Sequence, residues 1–190
     1  MIDRKQYLDK LRLYRDKKLI KVVSGIRRAG KSTLLQMFKD ELLASGVAEN
    51  QTISINFEDL AYRDILTAET AYDYITKQLL ADQKNYVFLD EVQNVAAFEK
   101  MADSLFIQDN VDLYITGSNA YFLSSELATV LTGRYVQIHL FPLSFAEYVS
   151  EFNDATNLPQ LYENYLHYGS FPQALELFKD NPESVKPYLQ

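Results

Sequence analysis

Cysteine is absent from the 190-residue sequence, so disulfides, thiolate metal sites and cysteine nucleophiles are all excluded. Histidine is nearly absent: His139 and His167 are the only imidazoles, too few for a zinc enzyme built on histidine ligands. Tryptophan is missing, and no stretch approaches the ~20 consecutive apolar residues of a membrane span. The opening Met1-Ile2-Asp3-Arg4-Lys5-Gln6 has no apolar secretory core, which leads to the expectation of a cytoplasmic protein with no membrane association. What is present suits a folded chain. Hydrophobic residues make up 47% and aromatics 13%, enough for a sizeable core, and the length fits one domain or one domain with a small appendage.

Charge is unevenly spread. Residues 1–39 hold 12 of the 19 Lys and Arg with only 3 acids, a local charge of +9, whereas the remainder is strongly acidic and brings the whole to -7. A basic head can meet nucleotide phosphate or nucleic acid. Equally, Arg4, Lys5, Lys10, Arg12, Arg15, Lys17 and Lys18 can form the solvated face of a helix whose apolar stripe is Tyr7, Leu8, Leu11 and Tyr14. Net acidity argues against avid non-specific DNA binding.

Helices and strands alternate along the chain. Asp3 is expected to cap a helix over 4–16, followed by a short strand, Leu19 to Val23. A helix from Lys31 to Ala44 ends at Ser45-Gly46; strands follow at Thr52 to Phe57, Tyr86 to Leu89, Val111 to Thr116 and Arg134 to Leu140, separated by helices near Glu69 to Ala81, Ala97 to Ile107 and Ala120 to Leu131. The third strand is apolar on both faces, which implies a parallel sheet covered by helices. From Pro142 onward the pattern is helical: Ser144 to Glu151, Leu158 to Tyr168 and Pro172 to Phe178.

Gly25-Ile26-Arg27-Arg28-Ala29-Gly30-Lys31-Ser32 matches G-x-x-x-x-G-K-[ST] between an apolar strand and a helix, the context in which that string binds phosphate. The glycines let backbone N–H groups converge on phosphate oxygens at the positive end of a helix. Lys31 adds a flexible cation for the β- and γ-phosphates, the Ser32 hydroxyl suits Mg²⁺, and Thr33 is placed for the α-phosphate. Residues 25 to 33 are thus the expected nucleotide cradle.

Asp90 and Glu91 end the buried strand Tyr86-Val87-Phe88-Leu89, at the edge where open α/β sheets bind ligands. In this setting Asp90 is the natural holder of Mg²⁺ and Glu91 the natural general base for an attacking water. The adjacent acids suggest a further strand between theirs and the phosphate-loop strand. That strand would be Val111 to Thr116, which makes Ser118 or Asn119 a γ-phosphate sensor or, alternatively, a helix cap. Asn56, ending the second strand, can hydrogen-bond Glu91 and hold it from water.

These motifs, with Ile115-Thr116-Gly117-Ser118-Asn119 and Leu131-Thr132-Gly133-Arg134, resemble the AAA+ branch of P-loop ATPases. More narrowly, Ser24 to Leu35, Asn56-Phe57-Glu58-Asp59, Gly133-Arg134, Pro142-Leu143-Ser144-Phe145 and Tyr168-Gly169-Ser170-Phe171-Pro172 resemble a prokaryotic family of AAA-domain ATPases. Members of that family carry a C-terminal domain of unknown function with a nuclease-like fold. The resemblance implies a three-layer α/β P-loop sandwich with a mainly parallel five-stranded sheet over 1–141 and a small helical lid over 142–190, the N-terminal part of a longer protein. It also implies that Arg134 is an arginine finger for a neighbouring subunit, although a surface arginine opening a strand would look the same. One departure stands out. No arginine follows Arg134, so the γ-phosphate-contacting lid arginine of AAA+ proteins has no counterpart here unless Lys179, Lys186 or sequence beyond residue 190 substitutes.

The resulting expectation is Mg²⁺-dependent ATP hydrolysis coupled to a conformational change in an attached domain or partner, with homo-oligomers and nucleic acid as candidate partners. A slowly hydrolysing nucleotide-controlled binding switch is the alternative. A small-molecule kinase fits the length but not the missing arginine-rich lid, and a GTPase would need an Asn-Lys-x-Asp that does not occur. Tyr162, Tyr165, Tyr168 and Phe171 recur at threes, either as core or as a docking stripe; at least two exposed rings are expected, and four buried ones would defeat docking.

Overall fold

The computed structural model describes residues 2–118, 131–152 and 157–189. In chain order the elements are α1 (Lys5–Tyr14), β1 (Ile20–Gly25), α2 (Lys31–Ala44), β2 (Thr52–Asn56), α3 (Ala68–Thr76), β3 (Asn85–Asp90), α4 (Phe98–Ile107), β4 (Val111–Ser118), β5 (Tyr135–Leu140), α5 (Phe145–Val149), α6 (Leu158–Tyr168), α7 (Pro172–Asp180) and α8 (Val185–Leu189). The strands form one sheet in the order β2-β3-β4-β1-β5, every pairing parallel. β4 therefore lies between the strand of the phosphate-loop motif and the strand ending in Asp90.

Every residue of β1 and β3 is buried. The pleat sends alternate side chains into two cores. Val22, Val87, Leu89, Leu113 and Ile115 pack with Ile75 of α3 and Met101 and Leu105 of α4. Val23, Tyr86, Phe88 and Tyr114 pack with Leu11 of α1 and Leu34 and Phe38 of α2 on the other face. A third, smaller cluster joins Ile2 to Leu143, Tyr148, Leu161 and Leu175, so the start of the chain packs among the C-terminal helices. Among the described residues, no helix is long and apolar enough to cross a membrane.

Several boundaries differ from the sequence expectation for identifiable reasons. α1 stops at Tyr14 because the Asp16 N–H donates to the buried Asp112 carboxylate at 2.9 Å, with Asp16 turned to φ 60°. Asp3 does not cap it: Arg4 occupies the cap position and no side chain bonds there. α3 ends at Thr76, short of Ala81, because the Asn85 side chain captures both backbone groups of Leu80 at 2.9 Å and holds the chain out of helix. The helix expected over Ala120 to Leu131 lies almost wholly outside the described residues.

The basic head is only partly a solvated face. Lys5, Lys10, Lys17 and Lys18 are exposed, but Arg4 is 5% exposed and turns inward. Arg12 bridges Asp9 and Glu41, and Arg15 donates to the Tyr86 hydroxyl at 3.2 Å. The stripe of four rings is likewise mostly packing. Tyr162 is 48% exposed, whereas Tyr165, Tyr168 and Phe171 are half-buried; the Tyr165 hydroxyl donates to the Leu143 carbonyl at 2.8 Å.

At the sheet edge remote from Gly25, Lys21 and Asp112 form a wholly buried ion pair. The Lys21 ammonium also donates to the Lys17 carbonyl at 2.9 Å, and Asp112 accepts from the Tyr114 hydroxyl at 2.7 Å. Burial lowers the pKa of Lys21 despite its partner, and raises that of Tyr114. Removing one member of such a pair leaves an uncompensated charge. Asp112→Ala is therefore expected to destabilise the fold by about 3–5 kcal/mol, measured by urea unfolding.

Candidate nucleotide site

β1 leads directly into the glycine-rich loop, and two constraints fix how it turns. At Gly25 (φ 155°), a Cβ would lie 2.4 Å from the Leu140 carbonyl oxygen of β5, so no side chain fits while β5 keeps its register. Gly30 adopts φ 95° as the residue before α2, and its carbonyl accepts the Leu34 N–H at 2.9 Å. Between them Arg28 takes φ 68°, a left-handed conformation rare outside glycine. Ile26, Arg27 and Arg28 are exposed and Ala29 is buried, while Ser32 and Thr33 face solvent at the start of α2.

Lys31 points into the loop. Although 5% exposed, its ammonium reaches the Gly25 carbonyl and the Glu91 Oε1, both at 3.4 Å. Glu91 follows β3 with φ 53°, opening the one-turn helix Val92–Asn94. Such a conformation stores about 1–3 kcal/mol in a non-glycine residue and persists where neighbours over-determine it. The neighbours here are Thr116, whose Oγ1 accepts the Glu91 N–H at 3.0 Å, and Gln93, whose Nε2 donates to Glu91 Oε2 at 2.5 Å. Thr116 Oγ1 also donates to Asp90 Oδ1. Asp90 Oδ2 has no partner among the described residues, and Asp90 shares with Ser32 the wall of a cleft of about 580 Å³. A hydroxyl and a carboxylate lining one cleft are hard-oxygen donors of the kind that suit Mg²⁺. Among the described residues there is no cluster of three or more His, Cys, Asp or Glu able to hold a metal, so phosphate and water would complete the shell.

A second cleft, of about 470 Å³, adjoins the loop and shares Ser32 and Thr33 with the first. Its walls include Gly30, Lys31 and Met37, with Ile2 and Arg4 from the chain start and Pro172 and Tyr188 from the C-terminal helices. The Arg28 guanidinium lies 4.9 Å from the Tyr188 ring centroid. Arg4 ties the chain start to α5, with Nε 3.3 Å from Glu147 Oε1 and Nη2 donating to the Phe141 carbonyl at 2.5 Å.

Lys31, Ser32, Asp90 and Glu91 thus converge, and the Cα of Ser118 is paired with that of Gly25 at the same sheet edge. Asn119 lies outside the described residues. Asn56 does not do what its position suggested: its Oδ1 accepts the Glu58 N–H at 2.9 Å in a local turn, and Glu91 is bound by Gln93 instead. Arg134 sits at the opposite edge, where its carbonyl accepts the Ile20 N–H at 2.8 Å and its guanidinium pairs with Asp103. Sequence reasoning missed Thr116, Gln93 and Arg4. A threonine inside Leu113-Tyr114-Ile115-Thr116 beside a strand ending in Asp was a usable signal; the other two depend on side-chain direction.

Comparison with known proteins agrees with this geometry. Residues 17–149 match the profile of the AAA domain family. An uncharacterized protein of Haemophilus influenzae is 40% identical over 179 residues, 92% of this chain and 45% of that protein. Another from Methanocaldococcus jannaschii is 30% identical over 187 residues, 90% of this chain and 40% of its own length. The chain spans less than half the length of these curated relatives. The Walker-type ATPase of Pyrococcus abyssi shares the fold, with TM-score 0.59 over 99% of this chain and 76% of that one at 16% identity. The match over 17–149, on a parallel sheet that brings Lys31 against Glu91, makes this chain a member of the AAA domain family, with the fold of P-loop ATPases.

Proposed function

We propose that the protein binds ATP with Mg²⁺ and hydrolyses it at the Lys31–Glu91 site, and that the change of nucleotide state moves an attached domain or partner. The observation that carries this reading is the ion pair between the loop lysine and the acid after β3, 3.4 Å apart at the mouth of a loop that only glycine at position 25 permits.

The backbone N–H groups of residues 26 to 33 cradle the phosphates, aided by the N-terminal end of α2. Lys31 exchanges the Glu91 carboxylate for phosphate oxygens, which frees Oε1 as it neutralises the substrate. Ser32 and Asp90 would hold Mg²⁺, which when bound would supply charge neutralisation for the phosphates. Thr116 fixes the Asp90 carboxylate through its hydroxyl. Glu91 accepts the proton of the attacking water, and Ser118 or Asn119 feels the γ-phosphate. The cleft walled by Met37, Pro172 and Tyr188 takes the rest of the nucleotide, and residues 142–190 act as a lid over the core of residues 1–141. Arg134 serves a neighbouring subunit. A nucleotide-controlled binding switch is the second reading, favoured by the engagement of both Glu91 oxygens; turnover measured with and without protein and nucleic-acid partners separates the two.

Lys31→Ala is the direct test. It removes the buried ammonium that points into the loop and leaves the N–H cradle, so ATP affinity should fall about 10- to 100-fold, the worth of a charge-assisted hydrogen bond. Calorimetric titration measures it, and unchanged affinity sinks the assignment. Release of inorganic phosphate, with no phosphorylated acceptor, excludes a kinase.

A further inference from the structure

Gln93 has no role in the reading above, yet it is the side chain bonded to Glu91 Oε2. Its amide is turned in a costly way. Nε2 faces the carboxylate, while Oε1 is buried with no hydrogen-bond partner among the described residues. A buried acceptor left unpaired costs free energy, and native proteins tolerate few of them. Flipping the amide would set Oε1 against the Glu91 carboxylate, so the charge on Glu91 fixes the orientation. The backbone contributes as well. The left-handed turn at Glu91 starts the Val92–Asn94 turn, closed by the Asn94 N–H donating to the Glu91 carbonyl at 3.1 Å, and this brings residue 93 back onto residue 91.

The two carboxylate oxygens are therefore unequal. Oε1 pairs with Lys31, 3.4 Å away, while Oε2 accepts from the Gln93 amide. When Lys31 turns to phosphate, Oε1 loses its partner while the tether on Oε2 remains. We propose that Gln93 is a positioning residue that orients Glu91, anchoring Oε2 so that Oε1 alone is presented to the attacking water. This is the task the sequence suggested for Asn56, with the difference that Gln93 aims the base instead of withholding it. The inference rests on Glu91 being the general base, and its test keeps the two claims apart.

The experiment compares wild type, Gln93→Met, Glu91→Gln and the double variant by calorimetric ATP titration and single-turnover hydrolysis. Gln93→Met preserves length and volume while deleting the amide. It should bind ATP as tightly as wild type and hydrolyse it about 10- to 100-fold more slowly, the usual consequence of a misaimed reacting group. Because Gln93 acts through Glu91, the same substitution should cause no further loss on the Glu91→Gln background. Wild-type hydrolysis by Glu91→Gln would overturn the general-base reading itself. An inactive Glu91→Gln beside a fully active Gln93→Met would overturn the positioning role alone. So would a loss from Gln93→Met of equal size in both backgrounds, since that is what a structural role produces. If Gln93→Met fails to unfold cooperatively, Gln93→Asn, which withdraws the amide by one methylene, is held to the same pattern, and full activity in it overturns the proposal.

Discussion

Arg134→Ala is expected to bind ATP as tightly as wild type yet hydrolyse it about 10³- to 10⁵-fold more slowly, the range an arginine finger contributes to phosphoryl transfer. Arg134 cannot reach the loop of its own chain. β5 runs parallel to β1 and places Arg134 before Tyr135, while the loop begins beyond Leu140, so the six residues of β5 separate them. At roughly 3.3 Å per residue that is about 20 Å, several times the reach of an arginine side chain. Arg134 is also the only arginine after Arg63. In the single chain its guanidinium pairs with Asp103 and lies 5.8 Å from the Phe106 ring centroid, partly exposed at the surface. A finger in that position must serve a second subunit, so activity per chain should rise with concentration. Mixing Arg134→Ala with Glu91→Gln is the decisive arm, because a mixed interface can join an intact Glu91 to an intact Arg134. Recovery of activity establishes action in trans; association without recovery removes the role.

Glu91→Gln should keep nucleotide bound and lower turnover by about 10²- to 10⁴-fold, the usual contribution of a general base. The substitution is nearly isosteric and leaves Asp90, Ser32 and Thr116 in place, so the metal side of the site survives. It also deletes the negative partner of Lys31, which frees the ammonium for phosphate and should preserve or tighten ATP binding. Affinity and rate therefore move apart. A variant losing both in proportion would mark Glu91 as a support of the loop, and one hydrolysing at the wild-type rate would exclude it as the base.

How much of this was legible in the sequence depended on how local the determinants were. α2 was read from Lys31 to Ala44 because a glycine turn before it and Ser45-Gly46 after it punctuate the chain locally. The insertion of β4 between β1 and β3 was legible because the adjacent acids Asp90-Glu91 carry that topology with them. The end of α3 was not, since Asn85 decides it from beyond the helix. Arg4 looked like one of seven surface charges, and only tertiary packing reveals that it reaches a carbonyl 137 residues away. Asn56 and Gln93 illustrate the same limit within the site. Both are amides near Glu91, and which one touches it depends on the turn at φ 53°, which sequence patterning does not encode.

The strand order has a temporal consequence. β1 is flanked by β4 and β5, so the strand that carries the phosphate loop is made early and meets neither neighbour until much of the chain has been synthesised. Gly25 and Leu140 are 115 residues apart. At about 5–20 residues per second on the ribosome, that interval lasts roughly 6 to 23 s. For most of it Val22 and Val23 lack both strand partners, since β4 follows β1 by about 90 residues and β5 comes later still, leaving an apolar segment of the kind that chaperones bind and that aggregates when exposed. The phosphate loop is consequently among the last parts of the core to acquire its shape, although its residues are among the first to be translated. Nascent chains halted before β5 should neither bind ATP nor gain protection from it, while chains that have cleared Leu140 should gain both.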